Sequence, residues 1–207
     1  MYLEVFSNET LTSIRNATVS VSCAKMCLAT KCPDGTIRAK SLFNTAARDG
    51  KLDVLIYGDD SGYVLKHILD GDIVAGAALN ERLEVVQYLR AIGISWNSDT
   101  CANAAQNGHL VLLKWARAHQ CPWDERTCSN AAKNGHLELL KWAREDQCPW
   151  NTWTCTNAAE NGHLELLKWA RENQCPWNED TCANAAENGH LEFLYGRGRP
   201  CVDALGR

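Results

Sequence analysis

Asn151–Trp177, NTWTCTNAAENGHLELLKWARENQCPW, is one copy of a phrase that this chain repeats. Aligned on Asn-Gly-His-Leu, the copies place Asn107, Asn134, Asn161 and Asn188 at intervals of 27 residues. A fixed period of this size marks a solenoid built from one recurring supersecondary unit. The register reaches back to Asn80 in AALNERLEVVQYLRAIG, where Gly-His has become Glu81-Arg82 and the apolar pattern survives. A more degenerate copy, TAARDGKLDVLIYG from Thr45 to Gly58, matches when Asp49 is set against Asn80, an offset of 31 residues. The array therefore holds about six units, the last four close to consensus.

Residues 124–150 show how a unit parses. Thr127 is the expected N-cap of a first helix over CSNAAKN, and small Ala131 and Ala132 allow a close helix neighbour. Asn134-Gly135 ends that helix, since both residues tolerate the left-handed conformation. A second helix, HLELLKWAREDQ, has Leu137, Leu140 and Ala143 or Arg144 at helical spacing, with Leu139 and Trp142 widening the apolar stripe. Pro149 in Cys148-Pro149-Trp150 is expected to stop it. Helices of roughly seven and ten residues do not repay nucleation alone, so each must bury its apolar face on the next copy. Tyr63, Val64, Leu65 and Ile68 are expected to form an extra helix that absorbs the longer offset near the start of the array.

AAENGHLELLKWARE resembles the central pattern of ankyrin repeats, an alanine pair, a Gly-His turn and a leucine-rich second helix. Thr-Cys-Ala-Asn at 181–184 stands where that family usually carries Thr-Pro-Leu-His. The Cys-Pro-Trp opening and the Leu-Lys-Trp-Ala-Arg helix are similar to a shortened ankyrin variant abundant in giant DNA viruses of amoebae. The resemblance covers about residues 41–196 and is closest over 97–195. It implies an all-α, right-handed α-solenoid of stacked helix-turn-helix ankyrin-like repeats. Each unit is about six residues short of an ordinary ankyrin repeat, and the missing part lies after Trp123, Trp150 and Trp177, so the β-turn fingers should be short or absent. The expected organisation is an N-terminal segment, 1–40, forming a helical cap or unassigned, followed by the array over 41–207. A relative with this variant sometimes carries an F-box-like N-terminus, which makes a substrate-selecting adaptor for a ubiquitin ligase the alternative to a plain binding module. Residues 1–40 are short for that role and lack a clear Leu-Pro start.

Composition narrows the function. The 21 basic and 25 acidic residues give a net charge of -4 without long blocks of either sign, which argues against a nucleic-acid or anionic-membrane partner. No 18-residue apolar run and no secretory leader pattern occur, so most of the eleven cysteines are expected to be thiols, with disulfides along the stack the alternative, in an intracellular, cytoplasmic setting, host cytoplasm if the chain is viral. The Cys121/Cys128, Cys148/Cys155 and Cys175/Cys182 spacing is too wide for a compact zinc pair, and these residues read as small buried hydrophobes. Cys23, Cys27 and Cys32 lack a nearby fourth ligand. The periodic His109, His136, His163 and His190 read as structural, each ring bonding backbone around its own turn. No paired carboxylates, Ser/His/Asp set or phosphate-cradling loop accompanies them, so neither enzyme activity nor a cofactor or metal is expected.

Specificity should come from positions that vary while the scaffold repeats. Trp153 breaks the pattern most sharply, because its counterparts Asp99, Arg126 and Asp180 are polar. With Glu125 beside the turn and Gln106, Lys133 and Glu160 at the end of the first helix, these residues form the expected strip for an unknown protein partner, a host protein if the chain is viral. Ala102, Ser129, Thr156 and Ala183 vary in the same helix and belong to the same expected strip.

Overall fold

The computed structural model describes residues 20–22, 24–25, 35–63 and 65–190. All regular structure among them is helical: α1 (Gly35–Asp49), α2 (Leu52–Asp60), α3 (Leu65–Ile68), α4 (Gly71–Leu79), α5 (Leu83–Ala91), α6 (Ser98–Gln106), α7 (Leu110–Ala118), α8 (Glu125–Lys133), α9 (Leu137–Glu145), α10 (Thr152–Glu160), α11 (Leu164–Glu172) and α12 (Glu179–Glu187). They form an all-α helical-repeat solenoid. First helices α4, α6, α8, α10 and α12 stack one on the next, and each second helix packs on the first helix of its own unit. Only residues 119–124 join α7 to α8, too few for a projecting β-hairpin finger.

The first helices approach closely because their buried faces are small. In α8 these are Thr127, Cys128, Ser129, Ala131 and Ala132. The second helices supply the bulk: Leu139, Leu140 and Ala143 of α9 are buried, each leucine contributing about 1.5–3 kcal/mol on leaving water. Both helix types are nine residues long, so the expected seven and ten even out.

The helix boundaries differ from expectation at both ends. Asp124, not Thr127, is the N-cap of α8: its backbone is extended and its carboxylate accepts from the Arg126 amide at 3.0 Å. Thr127 lies one turn inside, fully buried. Asp70, Asn97 and Asn151 cap α4, α6 and α10 in the same way. The second helix ends before its proline does any work. Gln147 adopts φ 63° and donates to Arg144 O, while Cys148 N donates to Ala143 O at 2.9 Å, the double bond of a Schellman turn. Gln120 and Gln174 repeat this left-handed conformation. An L side chain is strained there, so Gln147→Gly is expected to raise stability by about 0.5–1 kcal/mol. A higher denaturant midpoint at unchanged slope is the result that checks it.

The four-residue excess near the start of the array is taken up by α3, which contains the expected Leu65 and Ile68. Fully buried Phe43 of α1 meets Tyr63 edge-on at 6.1 Å. At its N-terminal side, Ala24 is buried and the Lys25 ammonium lies 5.5 Å from the Tyr57 ring centre. Cys23, Cys27, Cys32 and the glycine-rich stretch after Tyr195 lie outside the described residues.

Candidate protein-binding face

The periodic residues are consumed by the scaffold, and their bonds run between repeats. Nε2 of His136 lies 3.1 Å from Gln106 O, the last carbonyl of the preceding first helix. A carbonyl can only accept, so Nε2 carries the proton. His109, His163 and His190 do the same to Leu79 O, Lys133 O and Glu160 O at 3.0–3.1 Å. The rings are structural, but each bonds its predecessor rather than its own turn, because it leans back across the glycine of the previous unit. A Cβ built on Gly135 would stand 2.7 Å from the His163 ring. In the diverged unit Arg82 replaces histidine and donates its Nε to Arg48 O at 3.3 Å, over Gly50.

A second ladder escaped the sequence reading. Asn103, Asn130 and Asn157 donate their side-chain amides to Ala75 O, Ala102 O and Ser129 O at 3.1 Å, again one repeat back. The signal was present, since this asparagine is invariant in the four near-consensus copies.

The outer side belongs to tryptophan. Trp123 meets Trp142, and Trp150 meets Trp169, edge-to-face at 5.9 and 6.0 Å. The guanidinium groups of Arg117, Arg144 and Arg171 cover Trp123, Trp150 and Trp177 at 3.8–4.1 Å. Arg117 also holds Cys121 O at 2.6 Å, and Arg144 holds Cys148 O. An open cleft of about 340 Å³ there is lined by Lys141, Arg144, Glu145, Trp150, Trp169 and Asn173. Its principal cation is already spent on Trp150.

Trp153 stands apart. It occupies the second position of α10, where Asn151 Oδ1 accepts from its amide at 3.1 Å, and 61% of the residue is exposed. The other described tryptophans are half-buried. Its register neighbours Arg126 and Asp180 lie one helix away on either side, about 8–10 Å at the spacing of packed helices. Glu125, Arg126 and Asp180 are exposed and Asp99 half-buried.

Arg126 is less available than its exposure implies. It donates to Asp99 at 2.5 Å, to Ser98 Oγ at 2.8 Å and to Asp124 at 2.7 Å, tying α6 to α8. Partial burial pushes the Asp124 carboxyl up, but the bonds from Arg126 and Ser98 together outweigh it and hold the group below its ordinary value. Asp180 accepts from the Asn178 amide at 2.7 Å.

Gln106, Lys133 and Glu160 end α6, α8 and α10 with exposed side chains, while their carbonyls receive the histidines. The positions between them and the N-terminal turn are different. Ala102, Ser129 and Thr156 are buried in the stack, and Thr156 Oγ1 lies 3.2 Å from Thr181 Oγ1 of the next repeat. Their variation between copies points to the open face, but the close spacing of the first helices covers them. Among the described residues, no three His, Cys, Asp or Glu side chains gather as a metal site, and no helix is long and apolar enough to cross a membrane.

No family model matches the chain, and no curated protein matches it. Among solved structures, the human ASB11 ankyrin repeat domain aligns over 71% of this chain and 83% of that domain, at 12% identity and a TM-score of 0.52. The pentatricopeptide repeat protein PPR10 in complex with an 18-nt psaJ RNA element aligns over 98% of this chain and 36% of its own, at 16% identity and a TM-score of 0.41. PPR10 from maize gives 13% identity, 98% and 39% coverage, and 0.38. The solenoid described above is thus similar in fold to an ankyrin repeat domain.

Proposed function

We propose that the array binds another protein through the exposed edge of its first helices, with Trp153 as the anchor. The observation that carries this reading is a 61% exposed indole at a register position that is polar in the neighbouring copies. Solvent-exposed tryptophan is costly to leave unpartnered and is the side chain most enriched at binding hot spots. The scaffold beneath it is ordered before contact, which lowers the entropic cost of association.

Charge defines the partner further. Asp99, Glu125, Glu160, Glu179, Asp180 and Glu187 are acidic, against Arg126 and Lys133, and Arg126 is bonded to Asp99 and Asp124. Such a strip repels a phosphate backbone and favours a polypeptide that offers basic side chains around a flat or apolar group for the indole.

Quantitative capture from cells of the source organism, comparing wild type with Trp153→Ala, tests the reading. The variant is expected to unfold within about 0.5 kcal/mol of wild type and to lose binding at least tenfold, about 1.4 kcal/mol or more. Equal recovery of every captured protein by both forms would contradict it, as would capture that disappears after nuclease treatment.

A further inference from the structure

Along the sequence the cysteines fall in pairs separated by six residues, but the fold pairs them differently. In each of three units the thiol that follows the second helix is brought beside the thiol on the first helix, Cys121 by Cys101, Cys148 by Cys128 and Cys175 by Cys155, because it reaches the N-cap carbonyl four residues before its partner. All six are buried free thiols. Their positions are fixed from both sides. Cys128 is carried by the second turn of α8, and Cys148 by the Schellman turn that ends α9. The outgoing sulfur is aimed by a bond to the N-cap carbonyl of its own unit: Cys121 to Asn97 O at 3.7 Å, Cys148 to Asp124 O at 3.6 Å and Cys175 to Asn151 O at 3.7 Å. Thr100, Thr127 and Thr154, whose buried hydroxyls make no hydrogen bond of good geometry, face these same three thiols.

A buried small apolar residue would pack equally well at either position. Two thiols brought together three times in one register can do something that alanine cannot. We propose that each of these repeats holds a latent disulfide site, Cys101–Cys121, Cys128–Cys148 and Cys155–Cys175, that closes under a small-molecule disulfide oxidant such as oxidised glutathione.

The exchange is balanced. One thiolate attacks the oxidant's S–S bond, forms a mixed disulfide and expels one glutathione thiolate. The second cysteine, deprotonated, displaces the other glutathione, so the protein loses two electrons and two protons per site and the oxidant becomes two thiols. Interaction with the partner thiol, then burial, pushes Cys101 and Cys155 on the first helices and Cys148 at the turn of the middle unit above the ordinary thiol range. Whichever sulfur of a pair loses its proton first attacks, and its partner in the same unit resolves the mixed disulfide. Closure ties the start of a unit to its end, and the crosslink restricts the unfolded chain without changing the packed one.

Burial slows attack on the folded array, so the experiment lets the chain refold from denaturant in a glutathione redox buffer and then maps its linkages by alkylation, digestion and mass spectrometry. The expected result is the three intra-repeat linkages and a melting midpoint several degrees above that of the reduced form. Cys148→Ala is expected to abolish only the Cys128 linkage and to leave Cys128 alkylated. Six alkylated thiols after refolding overturn the proposal, as do persistent mixed disulfides or linkages of the Cys121–Cys128 type.

Discussion

Gly135→Ala is expected to destabilise the array by about 3 kcal/mol, far more than a methyl group on a surface turn usually costs. Two effects add. Gly135 has φ 74°, where an alanine loses about 1–2 kcal/mol, and its Cβ would stand 2.7 Å from the His163 ring of the next repeat. The second effect vanishes if the ring is removed. His163→Ala alone costs about 1–3 kcal/mol, because Lys133 O loses its donor. In that background Gly135→Ala should cost only about 1–2 kcal/mol, the backbone share. Denaturant unfolding of the four forms measures the coupling directly. Full additivity would mean that the ring does not rest on the glycine.

Leu140→Ala is expected to cost about 3–4 kcal/mol, since the side chain is fully buried in the middle of the array. Val111→Ala, equally apolar but 67% exposed, should stay within about 0.5 kcal/mol. The loss at Leu140 should also spread. In a solenoid each unit is held by its neighbours, so amide exchange should quicken in α8 and α10 as well as in α9. Melting and hydrogen exchange check both points, and a Leu140→Ala loss below about 1 kcal/mol would show that α9 is not part of the core.

The period of 27 made the solenoid and the short connections legible in the sequence alone. What stayed hidden was set by neighbours one repeat away. Asp124 and Thr127 are both competent N-caps, and only burial of the threonine in the stack decides between them. The cysteines nearest in sequence, Cys121 and Cys128, belong to different units, while partners 20 residues apart face each other. Ser129 and Thr156 look like surface residues because they are polar and variable, but a first helix lined with alanine lets its neighbour come close enough to cover them. Gln147 gives no local sign of a left-handed turn, since the residue usually found there is glycine. For the candidate face, Trp153 was legible as an outlier, whereas the engagement of Arg126 by Asp99 depends on how adjacent turns align.

The histidine bonds all point the same way, each ring capping the helix before it. The asparagine amides follow the same direction. A unit therefore carries the means to finish its predecessor and needs nothing in return except a successor of the same kind. A gene of this type can lengthen by copying one segment in tandem at any internal junction, because the inserted copy closes the unit upstream and is closed by the unit downstream. Near-identity of adjacent copies, the residue of such duplication, is then compatible with folding at every intermediate length, and new binding faces can arise by changing Trp153-like positions in a copy whose joints already fit.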